Sequence, residues 1–235
     1  MARRTDLLGF SFVTATRIHF NVLDDFLPLV GRQVITPLLG DLIPPTSWGS
    51  SLFNLLTPGC WELLRAQTFA KTGGHCEICG STGQLECHES WEYHEPIPDH
   101  LEKGGVGVQR LVRLMALCSE CHDTQHLGLA NVKRIFPKVI DRVQSYNRWT
   151  ASEGRRYWDF LEARSRRRSR CLWALDLSRM AETPLMVKGN WRMGSDGWLS
   201  AKTKTGESTT LIFGAGWRRG DVSYPAMSTD AGYYQ

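Results

Sequence analysis

The chain has 235 residues, 42% of them hydrophobic and 22% charged, with a formal net charge of +4; that is enough for one substantial core, or a small core with appended pieces. No stretch approaches the run of about 18 apolar residues that a membrane span needs. At the N-terminus, Arg3, Arg4 and the short apolar run Leu7–Val13 are interrupted by Asp6 and followed by Arg17 and His19 without a small-residue cleavage site, so a secretory signal is also set aside and a cytoplasmic protein is expected.

Residues 1–55 form an apolar N-terminal segment of unassigned fold. Its strip from Ile18 to Ile35, with Pro28 and Gly31, suits strand and helix equally, and Ile43-Pro-Pro-Thr-Ser-Trp-Gly49 reads as a loop. Thr57-Pro58 then predicts a helix start, with a hydroxyl at the cap and proline at the first helical position, where a missing N–H costs nothing. Trp61, Leu64, Ala66 and Phe69 give this helix an apolar side, and Gly73-Gly74 ends it. After a turn at Cys76-Glu-Ile-Cys79-Gly80, the alternation of Leu85 and Cys87 against Glu86 and His88 predicts a strand from Gln84 to Glu89. Residues 95–108 read as a Pro- and Gly-rich loop. Gln109–Leu117, apolar on both faces, is a second, well-buried strand. A short helix is expected from Ser119 to Gly128.

From Leu129 to about Met180 the pattern is helical, with an apolar stripe of Val132, Ile135, Phe136, Val139, Ile140 and Val143 and a kink or break at Pro137. Trp158, Leu161, Leu172, Trp173 and Leu175 continue it. Beyond Pro184 the composition turns to Gly, Thr, Trp and Ser, and Trp198–Thr203 and Ser208–Phe213 flank Lys204-Thr-Gly-Glu207 as a hairpin would. The charge is uneven along this order. Lys71–Lys103 holds seven acids against two lysines, and Leu129–Arg170 holds twelve Lys or Arg against four acids. An acidic core beside a basic arm suits a metal site next to a polyanion-binding surface; a solvated helix with an Arg-rich face is the plainer explanation of the same charges.

Seven cysteines in such a chain need a reason. Cys76/Cys79 and Cys118/Cys121 are two Cys-x-x-Cys pairs, and together they can offer four thiolates to one tetrahedral ion, which favours structural Zn²⁺ over disulfides in a reducing compartment. The 38 residues between Cys79 and Cys118 leave room for a folded strand–loop–strand. Cys60 and Cys171 read as small buried hydrophobes. His122 and His126 are four apart, on one face of a helix, and can share a second ion. If the two strands pack on that helix, His88 points at the same ion. A neutral His beside a divalent cation is the minimum equipment for phosphodiester hydrolysis.

Three motifs in order, Cys76-Glu-Ile-Cys79-Gly80, Leu85-Glu-Cys-His88-Glu-Ser-Trp-Glu-Tyr93 and Leu117-Cys-Ser-Glu-Cys-His122-Asp-Thr-Gln-His126-Leu-Gly128, resemble the HNH endonucleases, the ββα-metal nucleases, in a branch with a four-cysteine zinc site. The resemblance covers about 70 residues. It implies that His88 is the general base and that His122 and His126 bind a catalytic cation, Mg²⁺ or another divalent ion. Cys87 stands where the family usually has a metal-binding Asp or His and is expected to join His122 and His126 on that cation, a thiolate favouring zinc over magnesium; Glu89 is a spare carboxylate that would ligate instead. Arg113 stands at the family's central Asn, which orients the base-bearing loop. Asp99-His100 offers a competing alignment for the base, but it leaves only 17 residues before Cys118, so His88 is preferred.

The expected architecture is α+β: an HNH core with its zinc knuckles at 56–128, a basic helical arm at 129–180 and a β-rich tail at 181–235. Lys133, Arg134, Arg164, Arg166, Arg167, Arg168 and Arg170 would grip the DNA phosphate backbone. The function expected is a metal-dependent DNA endonuclease. The alternative is a catalytically inactive zinc-stabilised module, binding nucleic acid or serving as a subunit of a larger protein assembly.

Overall fold

The computed structural model describes residues 38–95 and 106–189, together with the strand segments 192–193, 198–202, 208–212, 218–219, 222–223 and 227–229. Among the described residues, six α-helices run in chain order: α1 (Leu52–Leu55), α2 (Pro58–Lys71), α3 (Ser119–Gln125), α4 (Leu127–Val132), α5 (Phe136–Asn147) and α6 (Ala151–Arg168). The strands are β1 (Leu85–His94), β2 (Val106–Cys118), β3 (Leu172–Asp176), β4 (Leu185–Val187), β5 (Arg192–Met193), β6 (Trp198–Lys202), β7 (Ser208–Ile212), β8 (Arg218–Arg219), β9 (Val222–Ser223) and β10 (Met227–Thr229). The fold is mixed α+β, as expected. None of the described helices is long and apolar enough to cross a membrane.

The antiparallel pair β1–β2 is the frame. Leu85 sits opposite Cys118 and His88 opposite Met115, and the register shifts between Ser90 and Trp91, where Val112 is the extra residue on β2. Both strands outrun their expected bounds: β1 continues to His94 and β2 starts at Val106, inside the stretch read as loop. The extra length of β2 has a use, because Val106–Arg110 pairs in parallel with Leu172–Asp176 of β3. The expectation of helix through Leu172, Trp173 and Leu175 is thereby corrected. The run Leu172-Trp-Ala-Leu is apolar on both faces, as a central strand requires, and the edge of β2 supplies the pairing that no local pattern reveals. The sheet continues in the order β1-β2-β3-β7-β6-β5. Its β6–β7 pair is antiparallel and matches the expected hairpin, whose connection, like the N-terminal strip and Asp99-His100, lies outside the described residues.

Side chains of β1 and β2 enter several apolar clusters. In one of them Leu111 packs with Leu52, Leu55, Leu56, Trp61, Leu64, Leu175, Leu185 and Val187, and Cys60, Cys87 and Trp91 border this cluster. α2 begins at Thr57-Pro58 as expected, although the Thr57 hydroxyl makes no capping bond, and ends before Gly73 and Gly74, both at positive φ. Its buried side is Trp61, Leu64 and Thr68 rather than Ala66, which is exposed. Separately, α4, α5 and α6 build a helical core of Leu127, Ala130, Val139, Val143, Trp149, Tyr157 and Leu161. Pro137 lies in the first turn of α5, so it opens a helix after a break instead of kinking one.

The helix expected from Ser119 to Gly128 is two helices. α3 stops at Gln125, His126 takes φ −119° and ψ 57°, and α4 starts at Leu127. The cause is a strap formed by residues 38–42. Asn147 holds Leu38 with two hydrogen bonds of 2.8 Å, Tyr157 donates to the Gly40 carbonyl at 2.6 Å, and Asp41 bridges to His126 with its N–H directed at the Gln125 carbonyl. The strap thus occupies the backbone groups that a continuous helix would use.

Candidate metal centres

The four paired cysteines come together. The sulfurs of Cys76, Cys79, Cys118 and Cys121 all lie within 4.8 Å of one another. Gly80, at φ 73°, turns the first knuckle, and the Gly80 N–H donates to the Cys76 carbonyl at 2.8 Å. Glu77 docks that knuckle on the part of β2 beyond the reach of β3: its N–H donates to the Ala116 carbonyl at 2.9 Å and its carboxylate accepts from the Ala116 N–H at 2.8 Å. Cys118 caps α3 and Cys121 is buried inside it. Burial works to raise Cys79, but hydrogen bonds from Ser81 outweigh it and hold the thiol down near 6. Burial raises Cys121, with Arg142 3.4 Å from its sulfur working the other way. Four converging sulfurs fit a structural zinc ion.

The second centre is on the helical side of β1. His88, 8% exposed, comes from β1; His122 comes from α3 and His126 from the break after it. His126 Nε2 is 3.2 Å from His88 Nδ1 and 3.2 Å from His122 Nε2. On its other side, His122 Nδ1 lies 2.8 Å from a carboxylate oxygen of Glu86. Burial, reinforced by the neighbouring rings, holds His88 far below its usual range and His126 at about 4. His88 and His126 therefore present neutral nitrogens. With the His122 proton on Nδ1 facing Glu86, one hydrogen cannot serve both close contacts of His126 along straight lines; a cation there would use the Nε2 lone pairs of His122 and His126. The donor set fits a divalent ion of the zinc, nickel or cobalt kind better than Mg²⁺, which prefers oxygen.

Several expected members stand elsewhere. Cys87 is adjacent to His88 and so faces the opposite side of the sheet. There it borders the α2 core and bonds to Thr68, and burial raises its thiol to about 11. It is not a ligand of the histidine site. Glu89 also faces away, accepting hydrogen bonds from the N–H groups of Leu52 and Phe53 and from the Trp91 indole. Arg113 is more than half exposed and is held by Glu77 at 2.6 Å. It carries no loop into place, although its charge reaches His88.

The basic residues divide. Arg168 is 1% exposed, paired with Asp41 at 2.8 Å and lying over the Tyr93 ring, and Arg164 is 6% exposed. Neither is available to a phosphate, because both are buried, and Arg168 anchors α6 to residues 38–42 and the end of β1. Arg167 is forked onto Glu95. Lys133, Arg134, Arg166 and Arg170 are exposed; Lys133 is paired with Asp123 at 3.4 Å, and both act on His126. Cys171 is buried, as expected. The residue that sequence reasoning missed is Glu86. The signal was present, since it shares a strand face with His88, but which helix residue it meets depends on how α3 crosses the hairpin. No family model, curated protein or solved structure matches the chain.

Proposed function

We propose that the chain is a metal-dependent endonuclease of the ββα-metal type, hydrolysing DNA phosphodiester bonds at the histidine centre. The observation that carries this reading is the convergence of His88, His122 and His126 on a unit of two antiparallel strands and a helix, with four cysteines at its open end. In this arrangement the cysteine site, once loaded with zinc, ties the turn after α2 to the start of α3. That fixes the helix carrying His122 against the strand carrying His88. His122 and His126 would hold a divalent ion, which supplies positive charge against a phosphate oxygen and makes nearby water more acidic. His88, kept neutral by burial, accepts a proton at Nδ1. Lys133 and Arg113, both exposed and near enough to act on His126 and His88 respectively, attract the phosphate backbone.

The first test is plasmid cleavage by the purified chain with Zn²⁺, Ni²⁺, Mn²⁺ or Mg²⁺, beside His88→Ala. Nicking or linearisation that needs the ion and falls by about 100-fold or more in His88→Ala is the expected result. Metal binding by the same variant separates two roles. A base leaves affinity unchanged, whereas a third ligand takes affinity down with it. No cleavage with any ion, while DNA is still retained, would turn the reading to a zinc-stabilised binding module.

A further inference from the structure

Glu86 has a half-exposed carboxylate on β1, two residues before His88 and on the same face of the strand. Its β2 partner, Leu117, is apolar, so nothing across the ladder explains a carboxylate there. It meets α3 instead. A carboxylate oxygen lies 2.8 Å from Nδ1 of His122, whose side chain is only 21% exposed. The opposite nitrogen of the same ring, Nε2, is 3.2 Å from His126 Nε2 at the centre of the histidine cluster. One imidazole therefore has one nitrogen committed to a carboxylate and the other aimed at the position of the ion.

We propose that Glu86 is a positioning residue for the histidine site: by accepting the Nδ1 proton of His122 it fixes that ring's tautomer and orientation, so that Nε2 presents a lone pair to a zinc-, nickel- or cobalt-like ion. The proposal rests on reading the three histidines as a metal site. Imidazole has only one proton when neutral, and the nitrogen that carries it cannot ligate. Without an acceptor at Nδ1 the ring is free to place its proton on either nitrogen and to turn about its side-chain bonds. With a carboxylate at 2.8 Å both freedoms are removed, and the negative charge makes Nε2 a better donor. His122 depends on this more than a buried ring would, because α3 has only seven residues and the ring's outer side faces water.

A surface ion pair between Glu86 and a protonated His122 is the competing account, and the two differ in what they move. An exposed pair contributes a small amount of stability and nothing to metal affinity. A carboxylate behind a ligating ring typically carries a factor of about 10–100 in metal affinity. The experiment uses the full chain with its cysteine site kept in zinc, titrated with Co²⁺ and read both by calorimetry and by the visible absorption of cobalt. Thiolate-to-cobalt bands would reveal any exchange into the cysteine site, so binding at nitrogen ligands is read separately.

The expected order of affinity is unsubstituted chain, then Glu86→Gln, then Glu86→Ala, with Glu86→Ala weaker by about 10–100-fold and its cobalt spectrum altered. Zinc content and circular dichroism confirm that the variants are folded. Glu86→Ala binding Co²⁺ within twofold of the unsubstituted chain, with the same spectrum, would overturn the proposal while leaving the metal site standing. Absence of cobalt uptake by the unsubstituted chain would overturn the metal site itself, and Glu86 with it. Neither outcome depends on nuclease activity.

Discussion

His88 and Glu89 are adjacent in the chain and serve opposite sides of one strand. Glu89 closes the first turn of α1 by accepting the Leu52 and Phe53 N–H groups, and burial pushes its carboxyl up to about 7 against those hydrogen bonds. A folded-state value above the ordinary 4.5 means that the native state holds the proton more tightly than the unfolded chain. The associated stability is complete below about pH 4.5 and is lost as pH rises through about 7. Measured against Glu89→Gln, which cannot ionise, the chain should lose urea stability across that window. A difference that is flat from pH 4 to about 8 would show that folding does not shift the titration of this carboxyl. The same parity of the strand explains what the sequence could reveal. The Cys-x-x-Cys pairs and the His122/His126 spacing are local, and their chemistry follows from spacing alone. Cys87 entered the ligand set through family resemblance, and strand alternation removes it. Glu86 became visible only when α3 was laid across β1.

At the level of elements, α2 was readable because it carries both an apolar side and a start signal at Thr57-Pro58, whereas α5 and α6 were read only as one helical stretch. The capping box of Thr150 and Glu153 that opens α6 is a local signal that the reading passed over. β3 was not readable, because its partner Val106–Arg110 lies more than sixty residues earlier and a wholly apolar stretch fits a buried helix as well as a buried strand. The break at His126 is also non-local, imposed by the strap at residues 38–42. Gly40 is the tight point of that strap: a Cβ there would lie 2.0 Å from the Thr124 backbone carbonyl oxygen, and backbone cannot turn aside as a side chain can. Gly40→Ala should therefore destabilise the chain by about 1–3 kcal/mol and shift His126, lowering metal affinity at the histidine site while zinc stays in the cysteine site. Urea unfolding and cobalt titration of one sample measure both. Unchanged stability would mean that the strap yields freely and does not set the break.

At the scale of the whole molecule, the positive charge that the sequence presents as one run divides into a buried group and an exposed group. Arg168 is buried between Asp41 of the strap and Glu95 just past β1, at 2.8 and 3.6 Å, with the Tyr93 ring against its guanidinium. It joins α6, the strap and the sheet, so it links the helical core to the frame that carries His88. Lys133 and Arg134 follow α4 at the surface, next to His126. The two groups should separate cleanly in experiment. Arg168→Met leaves Asp41 without its cation and Glu95 with Arg167 alone, and should cost about 3 kcal/mol, the lower end for breaking a buried pair because Asp41 and Glu95 still reach some water. In conditions where the variant is folded, its DNA affinity should keep the same dependence on salt. Lys133→Ala with Arg134→Ala should leave stability within about 0.5 kcal/mol and make the slope of log affinity against log salt shallower, by about 0.9 for each phosphate that is no longer neutralised. Fluorescence anisotropy with a duplex at several salt concentrations, beside urea unfolding, reads both quantities. A salt slope that changes in Arg168→Met and not in the double variant would reverse the assignment, placing the phosphate-binding face on α6 and leaving the histidine centre without a charged approach.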